Sequence, residues 1–102
     1  MADIQKAIRE VIETNRVVLF MKGTKNFPQC GYSTRAIEIL KKHNVEFKDV
    51  NVLSDPELRQ GIYSIWPTLP VIYINGDFVG DSVILMEMSQ SGELAELLAR
   101  SK

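Results

Sequence analysis

The segment "LPVIYINGDFVG", residues 69–80, constrains the fold of this chain more than any other stretch. Two apolar runs flank the pair Asn75-Gly76, which is favoured in a type I′ turn because both residues tolerate positive φ angles. The segment therefore predicts two antiparallel strands joined by a tight hairpin, and it places the second half of the chain in a β-sheet.

The first half of the chain predicts a parallel pair of strands. Val17–Met21 is short, β-branched and apolar, as expected of a buried strand. A helical segment follows at Ser33–Asn44, and Val45–Val52 is predicted as the next strand. Two neighbouring strands joined through a helix must run parallel, with a right-handed crossover.

Three further helices complete the pattern. They are predicted at 4–15 with Asp3 as N-cap, from Ser54 or Asp55 to a point before Trp66, and from 81 or 82 onwards with an interruption at Gly92. The order α-β-α-β-α-β-β-α predicts an α/β fold, with a mixed four-stranded sheet flanked by helices and one domain over residues 1–102. Ligands of such sheets bind beyond the carboxyl ends of strands, where the loop that carries Cys30 lies.

Composition excludes several classes of function. The chain has 102 residues, 45% of them hydrophobic, and a formal net charge of −1. Without a cationic field we expect no binding to nucleic acid or to an anionic membrane, and no apolar run is long enough to span a bilayer. The first residues lack the hydrophobic core of a signal peptide. A single cysteine fits a reducing compartment, so we expect a cytoplasmic protein.

Cys30 is the only cysteine, and it has two interpretations. Most free cysteines are small buried hydrophobes. Cys30, however, lies in a loop or at a helix N-terminus rather than on an apolar stripe, and the unpaired N–H groups there favour a thiolate. Lys22, at the end of the preceding strand, is a second candidate for lowering the thiol pKa. We therefore expect Cys30 to be reactive.

The chain does not supply the base, the second thiol or the further metal ligands that a lone reactive thiol would use. The only histidine, His43, lies 13 residues further on, roughly 20 Å along a helix, which argues against a Cys–His hydrolase. Ser33 stands where a two-cysteine redox enzyme has its second thiol. A metal centre with about four ligands would take one thiolate from each of two chains and two from outside. Thiol–disulfide exchange and metal binding thus both require an external thiol, for which glutathione is the abundant candidate.

The segment "WPTLP", residues 66–70, offers a place for such a tripeptide. A cis peptide bond before Pro70 would expose the backbone groups of Leu69 to a ligand, which could then pair with them as an added strand does. The simpler interpretation of Pro70 is an ordinary proline at the start of a strand.

Four segments together resemble the monothiol glutaredoxins: "MKGTKNFPQCGYS", "LRQGI", "WPTLP" and "INGDFVG…MEMSQSGELAELL". The resemblance covers nearly the whole chain. It implies a thioredoxin fold with Pro70 in the cis form and Cys30 as the active-site thiolate. It also implies that glutathione is held by Lys22 and Arg59 at its glycyl carboxylate, by the Leu69 backbone, and by Ser82 and Val83 at the start of the last helix.

The resemblance also implies a metal cofactor and partners. Single-domain members of the family bind a 2Fe-2S cluster between two protomers, each giving one cysteine thiolate (here Cys30) and one bound glutathione. They are homodimers with the cluster and monomers without it. They carry clusters to apo iron–sulfur proteins, often with BolA-type partners, and are weak glutathione-dependent oxidoreductases at most.

The chain departs from the family pattern in two places. Where the family has "GGCD", this chain has "GDSV" at residues 80–83, so Val83 replaces an aspartate that meets the γ-glutamyl end of glutathione. Asp81 is a candidate for replacing that carboxylate in part. The segment between Arg59 and Trp66 is also about two residues shorter than in the family, about half a helical turn.

Three hypotheses follow from these residues. The first is a cluster carrier, favoured by Ser33 and by the long loop before Cys30. The second is an oxidoreductase that cleaves protein–glutathione mixed disulfides through Cys30 alone. The third is an adaptor in which the fold is kept and Cys30 is inert.

Overall fold

The computed structural model describes residues 3–100 of the chain. The strands are β1 (Val17–Met21), β2 (Lys48–Asn51), β3 (Val71–Ile74) and β4 (Asp77–Gly80). The helices are α1 (Ile4–Thr14), α2 (Gly31–Lys42), α3 (Pro56–Tyr63), α4 (Ser82–Ser91) and α5 (Glu93–Ala99). None of these helices is long and apolar enough to cross a membrane.

The four strands form one mixed sheet in the order β2-β1-β3-β4. β1 pairs in parallel with β2 and antiparallel with β3, and β3 pairs antiparallel with β4. At the hairpin, Asn75 has φ of 54° and Gly76 has φ of 84°, which are the two positive angles that a type I′ turn requires. The predicted α/β class and mixed sheet are confirmed.

Both faces of the sheet are covered by helices, because side chains alternate along each strand. Val17, Leu19 and Met21 of β1 pack into one apolar cluster with α2, α4 and α5. Val18 and Phe20 point to the other face, where they join a second cluster with α1 and α3. β1 is therefore buried on both sides, which explains its unbroken apolar run.

Several element boundaries differ from the prediction. β2 begins at Lys48 rather than at residue 45, because Asn44 turns the chain with φ of 56° and the Val45 N–H still bonds the Leu40 carbonyl at the end of α2. α2 begins at Gly31, two residues before the predicted start. The predicted interruption at Gly92 is confirmed: this residue, whose φ is 91°, separates α4 from α5.

Candidate functional site

Strand directions bring the predicted site residues to one edge of the sheet. β1 and β2 are parallel, so Met21 and Asn51 mark the same edge. β3 starts at this edge, since Phe20 pairs with Val71. β4 ends there, since Gly80 pairs with Ile72. The loop to Cys30, the start of β3 and the start of α4 therefore meet at this edge, which we call the thiol edge.

The loop that leads to Cys30 is closed and tied to β2. The Gln29 N–H donates to the Lys22 carbonyl over 2.9 Å, and Gly23 and Pro28 form a β-bridge. The Lys25 N–H donates to Oδ2 of Asp49 over 2.8 Å. Gly23 has φ of 91°, and a Cβ there would lie 2.5 Å from the Phe27 carbonyl oxygen. The loop therefore holds Cys30 in a fixed position.

Cys30 is the N-cap residue of α2, and its side chain makes no capping hydrogen bond. Burial alone raises the pKa of the thiol. The backbone N–H groups of Ser33 and Tyr32, the charge of Lys22 and the hydroxyl of Ser33 act in the opposite direction, and together they hold the pKa below its ordinary value. Because the thiol is partly exposed and the thiolate is favoured, Cys30 can act as a nucleophile or as a metal ligand.

Lys22 lies close enough to Cys30 for its charge to contribute to the lowered thiol pKa. It follows β1 directly, and its backbone N–H donates to the hydroxyl of Ser33 over 3.3 Å. Ser33 is buried in the first turn of α2. This bond joins the end of β1 to the start of α2, and so sets the position of Lys22 against Cys30.

The residue Leu69 and the first residues of α4, also predicted to contact glutathione, lie at the same edge. The Leu69–Pro70 peptide is cis, as the resemblance implies, directly before β3. Ser82, which is buried, and Val83, which is exposed, are the first residues of α4. Arg59 lies one turn into α3, which starts soon after β2 ends at the thiol edge.

Comparisons with known proteins agree with this geometry. A family model described as Glutaredoxin matches residues 17–79. A monothiol glutaredoxin of Synechocystis, described as ycf64-like, is 50% identical over 89% of this chain and 87% of its own length. The mitochondrial monothiol glutaredoxin-5 of Saccharomyces cerevisiae is 48% identical over 98% of this chain and 70% of its own length. The chain belongs to the glutaredoxin family.

A solved structure supports the same assignment. Reduced poplar apo GrxS14 is 45% identical, with a TM-score of 0.82 over 93% of this chain and 89% of that one. The predicted thioredoxin fold is therefore confirmed. The names of the relatives place this glutaredoxin among monothiol members, in agreement with its single cysteine.

Asp81 has a larger role in this glutaredoxin than the sequence indicated. Its Oδ1 accepts from the N–H groups of Val83 and Ile84 over 3.1 and 3.2 Å. Its Oδ2 accepts from Trp66 Nε1 and the Thr68 hydroxyl, both over 3.3 Å. Sequence reasoning identified Asp81 as a possible start of α4, but the bonds to residues 66 and 68 depend on how distant segments pack.

Two exposed aromatic residues flank Cys30 along the chain. Phe27 is 74% exposed in the loop, and Tyr32 is 57% exposed in the first turn of α2. Their position in a tightly bonded loop and a helix keeps apolar surface beside the thiol. Neither residue could be identified from the sequence, because a single exposed aromatic residue gives no signal in sequence alone.

A cavity of about 710 Å³ lies away from the thiol edge. It is lined mainly by residues at the starts of β1 and β2 and at the end of α2, among them Arg16, His43 and Lys48. The end of β1 and the start of α2 lie at the thiol edge, whereas the cavity lies at their other ends. The cavity is therefore not part of the thiol site. His43 bonds the Ser89 hydroxyl over 2.9 Å.

Within residues 3–100, no three His, Cys, Asp or Glu side chains come together as a metal-binding group. Cys30 is the one thiolate ligand that this chain can place at the thiol edge. A metal centre at Cys30 would need thiolates from another chain and from external thiols.

Proposed function

We propose that this glutaredoxin carries 2Fe-2S clusters. Two protomers would hold one cluster, each with the Cys30 thiolate and the thiolate of one bound glutathione. The observation that carries the proposal is the single thiol with a lowered pKa, partly exposed at the thiol edge. One such ligand from each chain and one from each glutathione complete the four that the cluster requires.

Glutathione would lie along the thiol edge. Its glycyl carboxylate would face the cations of Lys22 and Arg59, and its peptide groups would pair with the Leu69 backbone ahead of β3. Its γ-glutamyl end would face Ser82 and Val83 at the start of α4. The end of β1, the start of β3 and the start of α4 reach the edge at which Cys30 lies, which supports an extended tripeptide lying along it.

The exposed aromatic residues support the dimer. Phe27 and Tyr32 present apolar surface on both sides of Cys30 along the chain, and aromatic residues are enriched at protein interfaces. A second protomer lying against them would shield the cluster from water. Without the cluster this contact is small, and we expect a monomer.

The cargo would pass to apo iron–sulfur proteins, with a BolA-type protein as a further partner. A recipient takes the cluster by replacing the two glutathione thiolates and then the two Cys30 thiolates. Since glutathione is not covalently attached to the chain, half of the ligands can leave without unfolding the carrier. Such exchangeable ligands suit transfer better than permanent storage.

Anaerobic reconstitution with iron, sulfide and glutathione tests the proposal. We expect visible cluster absorbance and a dimer by light scattering, both lost in Cys30→Ala and both lost when glutathione is omitted. His43→Ala, which removes the one imidazole of the chain, at the far end of α2, is the matched control and should keep the cluster. A cluster that persists in Cys30→Ala would contradict the proposal.

The lowered pKa of Cys30 also favours a second candidate, a glutathione-dependent oxidoreductase. The Cys30 thiolate would attack the glutathione sulfur of a protein–glutathione disulfide, and the target protein would leave as a thiolate. A second glutathione would then release Cys30 and form glutathione disulfide. Protein that stays colourless after reconstitution but turns over a glutathionylated peptide would favour this function over the carrier.

A further inference from the structure

Another cavity lies beside α1, on the face of the sheet that α1 and α3 cover. Its volume is about 280 Å³, and it is lined by side chains of α1, by Ile65 after α3, by Tyr73 of β3 and by Gly76 of the hairpin. β3 starts at the thiol edge and ends at the hairpin, so Gly76 marks the end of the sheet that lies away from Cys30. None of the lining residues is a predicted glutathione contact, and the cavity is therefore separate from the thiol site.

Tyr73 forms the inner wall of this cavity, and its ring is held by aromatic neighbours. It pairs with Val18 across the sheet, and both side chains lie on the face that α1 covers. Only 8% of Tyr73 is exposed. Its ring packs edge-on against Phe20, with centroids 6.0 Å apart, and against Phe78 at 5.5 Å. Because close-packed rings keep one orientation, the position of the hydroxyl is set by the fold.

The Tyr73 hydroxyl has no hydrogen-bond partner within residues 3–100, although buried tyrosine hydroxyls usually have one. In this part of the chain, no side-chain polar atom that is sealed from solvent lacks a partner, so this hydroxyl is still open to solvent. The cavity is the opening that the structure offers at Tyr73. Burial raises the pKa of Tyr73, so at neutral pH the hydroxyl keeps its proton and can both donate and accept a hydrogen bond.

The other walls of the cavity are hydrocarbon, and its rim carries one charge of each sign. Ile8 and Ile12 of α1 are buried, and Ile65 adds a third isoleucine side chain. Arg9 and Glu13, both exposed, lie one helical turn apart on α1. Exposed charges of opposite sign offset each other and are screened by salt. The cavity therefore selects neither a cation nor an anion.

We propose that this cavity is a second binding site, for a small uncharged molecule with an apolar ring or branched chain and one hydroxyl or carbonyl group. The apolar part would pack against the isoleucines, and the polar group would bond the Tyr73 hydroxyl. A cavity of about 150 Å³ is enough for benzene, so about 280 Å³ accommodates a ring with a short substituent. The site is independent of Cys30 and goes beyond the proposed function.

Binding of p-cresol and toluene tests the proposal, because p-cresol adds one hydroxyl to the same methylated ring. The full chain, ¹⁵N-labelled and reduced, is titrated with each, and the saturable shifts of the Ile8, Ile12 and Gly76 amides give the Kd. In Tyr73→Phe, which keeps the ring, the Kd of p-cresol should rise about fivefold, the factor that one hydrogen bond supplies, while that of toluene stays within about twofold. Tyr63→Phe, at the exposed end of α3 and outside the cavity, is the matched control and should change neither.

Two further measurements test the ligand class and the location of the site. Tyramine and para-hydroxyphenylacetate carry one positive and one negative charge on the same phenol, and neither should bind more than about threefold more tightly than p-cresol. Cys30→Ala should bind p-cresol as wild type does.

Three results would overturn the inference, and none of them bears on the proposed function. Shifts that do not saturate, or a p-cresol Kd that is the same in wild type and Tyr73→Phe, would mean that the hydroxyl is only hydrated. A preference of about tenfold for either charged phenol would contradict an uncharged ligand. Loss of p-cresol binding in Cys30→Ala would place the site at the thiol edge.

Discussion

Two helices start at the thiol edge, and their N-termini are used in opposite ways. At α2 the N-cap is Cys30, whose side chain makes no capping bond, and the nearby N–H groups instead lower its pKa. At α4 the N-cap is Asp81, whose side chain accepts from two of the free amides. The first N-terminus supports a thiolate, and the second is capped by a carboxyl group.

The two helices show that a helix N-terminus can make a thiol reactive or can make the helix itself more stable. A helix N-terminus stabilises negative charge in either case. Where the charge belongs to a thiol, the stabilisation appears as reactivity. Where it belongs to a capping carboxyl group, it appears as a stable start of the helix.

The largest effect is expected from Gly23→Ala, which perturbs the loop that leads to the N-terminus of α2. Its Cβ would lie 2.5 Å from the Phe27 carbonyl oxygen and 2.8 Å from the Gln29 nitrogen, at a φ of 91°. We expect a loss of about 3 kcal/mol in the free energy of unfolding, measured by urea denaturation. Gly31→Ala is the control, because a Cβ there meets nothing within 4 Å. Equal stability of the two variants would show that the loop is not held as described.

Asp81→Ala perturbs the N-terminus of α4. It removes a helix cap and the acceptor for Trp66 and Thr68, so we expect a loss of about 2 kcal/mol in the free energy of unfolding. Asp55→Ala is the matched control, since Asp55 caps α3 with the Leu58 N–H alone, and it should cost about half as much. An equal loss of unfolding free energy in both variants would mean that the hydrogen bonds from Trp66 and Thr68 to Asp81 do not stabilise the protein.

Ser33→Ala weakens the link between β1 and α2. It leaves the Lys22 N–H without its partner, which we expect to cost about 1.5 kcal/mol in the free energy of unfolding. It should also raise the Cys30 pKa, because the Ser33 hydroxyl helps to lower it. The rate of Cys30 alkylation against pH measures that shift. Ser54→Ala, at an exposed position, should change neither quantity.

The smallest effect concerns the Lys22 charge. Lys22→Gln should raise the Cys30 pKa, because this charge contributes to lowering it after the backbone N–H groups. Lys41→Gln, in the last turn of α2, is the control and should leave the alkylation profile unchanged. If the pH dependence of Cys30 alkylation is unchanged in Lys22→Gln, Lys22 does not influence the thiol.

The lowered pKa of Cys30 also predicts how stability depends on pH. A thiol whose pKa is lower in the folded state favours folding once it is ionised. Relative to Cys30→Ser, the stability of wild type should therefore rise from the folded pKa up to about pH 8.5, the ordinary value of an unfolded thiol. It should be lost as the pH falls through the folded pKa. Urea denaturation of both proteins across this window measures the difference, and a constant difference would contradict the lowered pKa.

Local signals made much of the fold predictable. Asn75-Gly76 defines a hairpin turn by its own φ preferences, and β1 coincides with the predicted Val17–Met21. Asp3 caps α1 as expected. β2 was predicted too long, because Val45 and Phe47 are apolar for packing rather than for strand pairing: Phe47 joins the core beside α2, and Val45 packs against it, before the strand begins.

The candidate site was predictable in part. The position of Cys30 before a helix indicated a favoured thiolate, and the resemblance to the family gave the cis bond before Pro70. The role of Asp81 was not predictable, because two of its four bonds come from residues 13 and 15 positions earlier. No periodicity or spacing in a sequence reports such contacts.

By itself, the sequence determined the hairpin, the buried strand β1, the helix caps and the single thiol before a helix, because each depends on neighbours within a few positions. The tertiary structure alone decided that Lys22 acts on Cys30, that Phe27 stays exposed, and that Asp81 also accepts from Trp66 and Thr68. Charges and hydrogen bonds act through space over a few ångströms, and only packing determines which distant residues come that close.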